Sequence, residues 1–276
     1  MNATTDVTSS GDAPIPPGDT DAVMVLFNEI ADAVAVLVEA ATDWSWSGER
    51  AGQYAVDVSV DELCLDLLHG AGFAVLSEES GITNAIVGDD VGVTNGAIVV
   101  VDPLDGSTNA SLGLPWCATS LCLVVDGSPT VALVANLRTG VRYEAVRGRG
   151  ATSGGRRLRV AEPVDLADAI VAVNARPPDR FRPRQFRAMG ATALDVAAVA
   201  GSGVGGGFDA YVDFDDDAIG VWDYLAAVLV VEEAGGVTAD ALGRDLVVID
   251  HAARRRPMAA TSPALLAQLA AVVSPT

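Results

Sequence analysis

The sequence predicts a mixed α/β or α+β fold in which sheets are sandwiched between helices. Three observations lead there: apolar residues recur at helical spacing near the N-terminus, β-branched runs bounded by Gly and Pro fill the middle, and the C-terminal half mixes both patterns. A chain of 276 residues suits one large domain or two closely packed lobes, here divided at about residue 160, and its 50% hydrophobic content can bury a substantial core.

Residues 1–20 are rich in Ser, Thr, Pro, Gly and Asp and are expected to form a disordered tail. Asp19 or Thr20 then caps a helix whose buried face carries Val23, Leu26, Phe27, Ile30, Val34, Leu37, Val38 and Ala41. A second helix is expected over Asp61–His69. Phe73–Leu76 reads as a short strand running into Ser77-Glu78-Glu79-Ser80-Gly81, and a loop follows as far as Asn95. Ala97–Val101 is a strand buried on both faces. It should stop at Asp102-Pro103, because proline removes a ladder donor and bars its predecessor from helical backbone.

Leu121–Val125, Val131–Leu137 and Val141–Val146 form a meander between Gly-containing turns. Farther on, strands are expected at Ile170–Val173, Phe208–Phe214, Val247–Ile249 and Met258–Thr261. Helices are expected at Ala193–Ala200, at Trp222–Ala234 with Gly235-Gly236 closing it, and at Ala264–Val272. There is no internal repeat.

Charge narrows the function. All 17 basic side chains are Arg, against 37 acidic ones, for a net charge of −20. Such a surface repels nucleic acid and anionic lipid, and the absence of Lys excludes a lysine Schiff base and a P-loop lysine. A site that handles phosphate on this chain must create positive potential locally, which metal ions do. Cys64, Cys117 and Cys122 fit neither a zinc spacing nor an even disulfide set, and no signal peptide or membrane span is evident. A cytoplasmic protein with no membrane partner is expected.

Asp102-Pro103-Leu104-Asp105-Gly106-Ser107-Thr108-Asn109 places two carboxylates where a buried strand breaks. Hard divalent cations take oxygen ligands, and convergent carboxylates repel one another until a cation neutralises them. Gly106 permits close backbone approach, and Ser107 and Thr108 offer hydroxyls and N–H groups. Taken alone, D-x-x-D is more often a turn whose Asp side chains cap backbone donors. Glu78 and Glu79 after another apolar strand, and Asp223 at a helix start, shift the balance towards a metal site. Asp223 there either caps the helix or ligates metal.

With those residues in view, the chain resembles the inositol monophosphatase-like metal-dependent phosphatases. Asp102–Asn109 is similar to the first signature of that family, and Trp222-Asp223-Tyr224-Leu225-Ala226-Ala227, closing in Glu233-Ala234-Gly235-Gly236, to the second. Glu78-Glu79-Ser80 resembles the acidic strand end that precedes them; Gly148–Ala151 and Gly190–Asp195 are weaker likenesses in the right order. The resemblance implies a layered αβαβα sandwich of the inositol monophosphatase/fructose-1,6-bisphosphatase type, a homodimer, and Mg²⁺-dependent hydrolysis of a small phosphate monoester with two or three ions.

Carried over by position, Glu78, Asp102 and the Leu104 carbonyl would bind one metal, and Asp102, Asp105 and Asp223 a second, with Glu79 behind them. Gly106, Ser107 and Thr108 would hold phosphate, with Gly190, Ala191, Thr192, Asp216 and Asp223 on the substrate. Ser107 and Asp61 would direct the attacking water, with Asp57 the rival to Asp61. Ser107 stands where the family commonly has Thr, and Arg50 is a stand-in for a missing Lys. The substrate is left open among inositol monophosphate, histidinol phosphate, fructose 1,6-bisphosphate and 3′-phosphoadenosine 5′-phosphate, and a catalytically weak phosphate- or metal-binding protein is the alternative.

Gly201–Gly206 formally matches G-x-G-x-x-G but follows a helical run and precedes a strand, the reverse of a dinucleotide site. His69 and His251 have no partner nearby in sequence and are assigned ordinary surface or core roles. Arg254-Arg255-Arg256 reads as a solvated turn.

Overall fold

The computed structural model describes residues 14–48, 50, 52–84, 86, 87, 90, 91 and 96–273. Most of the tail expected over residues 1–20 lies outside them. From Pro14 the chain is tied down, with the Ile15 N–H donating to the Ala71 carbonyl at 2.9 Å. Helix α1 (Thr20–Ala40) begins where Asp19 accepts the Ala22 N–H at 3.1 Å. Helix α2 (Ala55–Gly70) starts a turn and a half before the expected Asp61, because Asp57 occupies the third helical position and its Oδ2 accepts the Tyr54 N–H at 2.7 Å.

The strands β1 (Ala74–Ser77), β2 (Gly81–Thr83), β5 (Ala97–Asp105), β6 (Ala118–Val125), β7 (Ser128–Asn136), β8 (Arg142–Val146), β9 (Gly150–Ser153) and β10 (Arg156–Arg157) form one sheet in the order β10-β9-β8-β7-β6-β5-β1-β2. Within the stretch expected as a loop, β3 (Ile86–Val87) and β4 (Asp90–Val91) pair with each other. Only β1 and β5 run parallel; the remaining neighbours in the large sheet are antiparallel.

One expectation is corrected here. β5 does not stop at Asp102-Pro103: it pairs with β6 at Asp102↔Ser120, passes an irregularity, and pairs again at Asp105↔Ala118. Proline is tolerated at such a bulge, where the ladder asks nothing of its nitrogen.

A short helix α3 (Ser107–Ser111) follows β5 directly. The second sheet is built from β11 (Ile170–Asn174), β12 (Gln185–Arg187), β13 (Ala210–Asp213), β14 (Val237–Asp240) and β15 (Pro257–Ala260), in the order β12-β11-β13-β15-β14. Helices α4 (Thr192–Ala197, continued as a 3-10 stretch over Ala198–Val204), α5 (Val221–Glu233) and α6 (Pro263–Val273) complete the chain. Strands β12 and β14 were not expected. Val247–Ile249, expected as a strand, forms none and instead packs on the central core.

Three apolar clusters define the layers. Val23, Phe27, Ile30 and Val34 of α1 and Val60, Cys64 and Leu68 of α2 pack against Val75, Val99, Val101, Leu121 and Leu133 on one face of the large sheet. On its other face, Leu76, Val100, Cys122 and Val134 meet α4 and α5, which also cover Ala172, Tyr211 and Ala259 of the second sheet. The far side of the second sheet packs on Leu265, Leu269 and Val273 of α6. The order is α1α2, sheet, α4α5, sheet, α6, the expected αβαβα sandwich. Its middle helix, α5, buries ten of its residues from Val221 to Val231 and presents its N-terminal turn to the ends of β1 and β5. Among the described residues, no helix is long and apolar enough to cross a membrane.

Candidate metal centre

Three elements deliver one carboxylate each to a common point. Glu78 follows β1, whose parallel pairing continues as its N–H donates to the Val101 carbonyl at 3.3 Å. Asp102 leaves β5 just before the bulge, and Asp223 lies in the first turn of α5. Oxygen atoms from Glu78, Asp102 and Asp223 all lie within 4.8 Å of one another. Asp223 also accepts the Gly220 N–H through Oδ2 at 2.7 Å. It therefore caps the helix and faces the cluster at once, so the two roles the sequence left as alternatives are compatible.

Asp102 is 1% exposed. Its Oδ1 accepts the Leu104 N–H at 3.0 Å, while Oδ2 is buried with no hydrogen-bond partner. Burial, followed by the charges of Glu78, Asp105 and Asp223, pushes the Asp102 carboxyl well above the usual range. Burial does the same to Asp223, reinforced by Glu78 and Asp105. An orphaned buried oxygen on a carboxylate grouped with two others is costly on its own and suits a bound cation. An all-oxygen donor set is what Mg²⁺ takes, so these residues fit the ion that the resemblance implies.

Asp105 adjoins this group without joining it. It is 7% exposed, and its Oδ2 accepts the Ala193 N–H at the start of α4 at 2.7 Å. Its carboxyl is raised well above the usual range, chiefly by burial. Leu104 is buried beside it. Gly106 caps α3 in left-handed backbone, at φ +78°. A Cβ at Gly106 would stand 3.0 Å from the Ala191 Cβ and the Trp116 carbonyl and 3.1 Å from the Gly190 carbonyl. The fold thus lays the two segments expected to bind substrate, Gly106–Thr108 and Gly190–Thr192, against each other.

Asn109 holds them there. Its Nδ2 donates to the carbonyls of Trp116 and Met189, each at 2.8 Å, and of Gly190 at 3.3 Å. Ser107 is half-buried, Thr108 is exposed, and Thr192 meets the Tyr211 hydroxyl at 3.5 Å.

Asp61 is fully engaged, since its two oxygens accept the hydroxyls of Ser77 and Ser80. The rival Asp57 is different: Oδ1 is buried without a partner, and burial raises its carboxyl to about 6. Asp216 is exposed. The next residue, Asp217, is forked by Arg244 at 2.6 and 2.9 Å, and the same guanidinium bonds the buried Asp240 at 2.8 and 2.9 Å.

Arg50 and Glu79 were named from the sequence, but their pairing with each other, Gln53 and the Trp116–Asp195 contact were not. Arg50 stands beside the acidic turn, its Nη2 3.1 Å from Glu78 Oε1 and 2.9 Å from Glu79, and Gln53 also donates to Glu79. Burial, with Glu78 next in effect, raises Glu79 to about 7. Asp195, raised by burial to about 8, accepts the Trp116 indole N–H at 2.8 Å. Nothing local in the sequence announces these pairs, which join residues up to 79 apart.

The model of the inositol monophosphatase family matches residues 47–275. The chain is 33% identical over 192 residues to the Nus factor SuhB of Xylella fastidiosa, covering 64% of each protein. It is 35% identical over 171 residues to the inositol-1-monophosphatase of Rhizobium meliloti, covering 56% of this chain and 62% of that one. To the fructose-1,6-bisphosphatase/inositol-1-monophosphatase of Thermococcus kodakarensis it is 34% identical over 195 residues, covering 70% and 71%. The first two alignments span slightly less than two thirds of those relatives. Among solved structures, the extragenic suppressor protein suhB of Bartonella henselae superimposes with a TM-score of 0.75 at 25% identity, over 92% of this chain and 98% of that one. The inositol monophosphatase of Anabaena shares the fold, with a TM-score of 0.70 at 22% identity over 92% and 95%. This chain belongs to the inositol monophosphatase family.

Proposed function

We propose that this protein is a Mg²⁺-dependent phosphatase that hydrolyses a small phosphate monoester. The observation that carries the reading is the convergence of Glu78, Asp102 and Asp223, one of which, Asp102, keeps a buried oxygen without a partner. Family membership and the likeness to the Rhizobium inositol-1-monophosphatase and the Thermococcus fructose-1,6-bisphosphatase/inositol-1-monophosphatase support it.

Glu78, Asp102 and Asp223 would hold the cation, with Asp105 and the Leu104 carbonyl able to complete a second position. Bound Mg²⁺ supplies Lewis acidity, easing ionisation of water and neutralising charge on the departing oxygen. The chain's own residues do the positioning. Left-handed Gly106 would bring backbone close to the phosphate, and Asn109 holds the Met189 and Gly190 carbonyls opposite it. Ser107 offers a hydroxyl to the attacking water.

We assign Asp57, rather than Asp61, the acceptor role beside that water, because only Asp57 keeps a buried oxygen without a partner. The water oxygen would bond to phosphorus as its proton passes to Asp57, the ester P–O bond would break, and the leaving alkoxide would take a proton from solvent water. Asp216, exposed on its loop, would read substrate hydroxyls.

The test is phosphate release from inositol monophosphate, fructose 1,6-bisphosphate, histidinol phosphate and 3′-phosphoadenosine 5′-phosphate, with Mg²⁺ and with chelator. Turnover of at least one, lost with chelator and in Asp102→Asn, is the expected result. Tight phospholigand binding without turnover of any would replace the enzyme with a binding protein.

A further inference from the structure

The segment from Asp250 to Arg256 contains a histidine and an arginine triplet that no step above uses. It is not a solvated turn. His251 Nε2 lies 2.9 Å from the carbonyl oxygen of Glu78, and because that oxygen can only accept, Nε2 carries the proton and donates. The same imidazole stacks on Trp222, with ring centroids 4.9 Å apart and planes 28° from parallel. Arg254 lies over the same indole, 5.1 Å from its centroid, and its Nη1 donates to the His251 carbonyl at 2.7 Å. Arg255 closes the segment onto the approach to α5, its N–H donating to the Ile219 carbonyl at 2.9 Å.

Glu78 and Trp222 are no ordinary neighbours. Glu78 is one member of the carboxylate group, and Trp222 immediately precedes Asp223, another. The two belong to different layers, a strand end of the large sheet and the first turn of the middle helix. One imidazole therefore touches both. Gly81 closes the same turn beneath the ring: a Cβ there would stand 3.7 Å from the imidazole, in van der Waals contact.

We propose that His251 is a positioning residue that fixes the Glu78 turn relative to the Trp222–Asp223 end of α5, so that the two carboxylates are held convergent before a cation arrives. This rests on the metal-site reading above. Three carboxylates left free would swing apart to relieve repulsion; a brace that prevents this raises cation affinity without contacting the cation. Ordinary packing by His251 would stabilise the fold equally but leave affinity untouched.

The two contacts can be separated. His251→Phe keeps a ring against Trp222 and loses the N–H, His251→Gln keeps an amide N–H within reach of the carbonyl and loses the stack, and His251→Ala loses both. Mg²⁺ is titrated by calorimetry into the full-length chain and each variant without substrate, and thermal midpoints are recorded in chelator. The expected result is Mg²⁺ affinity weakened roughly tenfold in His251→Ala, the scale typical of partners that orient ligands, with smaller losses in the Gln and Phe variants. At saturating Mg²⁺ the variants should recover near-normal kcat.

Unchanged Mg²⁺ affinity in all variants that fold, whatever their thermal midpoints, overturns the brace and leaves the metal site standing. Absence of Mg²⁺ binding by the wild-type chain overturns the metal reading and the brace with it. If His251→Ala does not fold, the Gln and Phe variants decide by the same criterion.

Discussion

Asp102→Asn should make the metal-free protein more stable and the Mg²⁺-loaded protein less so. In the absence of cation, the oxygens of Asp102, Glu78 and Asp223 crowd within 4.8 Å. Two unit charges at that separation repel by about 3.5 kcal/mol at an effective dielectric of ~20. Protonation relieves part of this, since a group held ionised above its own preference costs about 1.4 kcal/mol per pH unit. The gain from removing the Asp102 charge should therefore fall between roughly 1.4 and 3.5 kcal/mol, or about 2–6 °C for a chain of this length. Asparagine retains an Oδ1 for the Leu104 N–H, so little is lost locally.

The sign with pH follows from burial having raised the Asp102 carboxyl. Between the unfolded value near 4 and the higher folded one, the native state holds the extra proton, so metal-free stability falls as pH rises through that window. The advantage of the Asn variant should widen accordingly. Mg²⁺ at about 1,000 times its Kd should add ~4.1 kcal/mol to the wild type and far less to the variant, so that their order reverses. Differential scanning fluorimetry in chelator and in Mg²⁺, from pH 5 to pH 8, measures all of this. A variant less stable than wild type in chelator, with an undiminished response to Mg²⁺, would refute the assignment of Asp102 as a ligand.

Four other perturbations have defined outcomes. Trp116 fluorescence should titrate with a midpoint near 8 as Asp195 ionises, and Asp195→Asn should abolish the transition; because burial raises this acid, its contribution to stability is present below about pH 4 and lost as pH rises towards 8. Asn109→Ala leaves the Trp116 and Met189 carbonyls without their donor and should cost about 2 kcal/mol in urea unfolding while raising KM. Gly106→Ala forces a side chain into left-handed backbone against Ala191, and should lower stability by roughly 1–2 kcal/mol and kcat/KM by more than tenfold. Arg244→Lys cannot fork Asp217 and Asp240 together, and should raise KM about fivefold, equivalent to ~1 kcal/mol, with kcat near normal if the loop carrying Asp216 reads substrate.

What the sequence made legible was periodic or contiguous. The apolar stripe of α1, the meander β6–β8 and the two signature segments each declare themselves within a short window, and they fix both the layered class and three converging carboxylates. The start of α2 was harder, because Asp57 and Asp61 both suit a helix and only the hydrogen bond from Tyr54 distinguishes them. Val247–Ile249 has strand composition but no partner strand, so its apolar side chains serve the core from an irregular segment. His251 was illegible for a plainer reason. It meets Glu78 across 173 positions of chain, a contact created by sheet topology and by no local pattern.

The bulge in β5 has a geometric consequence of its own. Side chains along a regular strand alternate, so residues 102 and 105 would face opposite ways. In β5, Ala97, Val99, Val101 and then Leu104 look towards α1 and α2, whereas Ile98 and Val100 look towards the middle helices. The alternation slips by one between Val101 and Leu104. Asp102 and Asp105 consequently emerge on the same side as Asp223 and the start of α4. Pro103 makes that slip durable, since a residue with no N–H gains nothing from returning to register. The bulge that carries Pro103 thus sets the parity of the strand, and with it whether Asp102 and Asp105 face one layer or are divided between two.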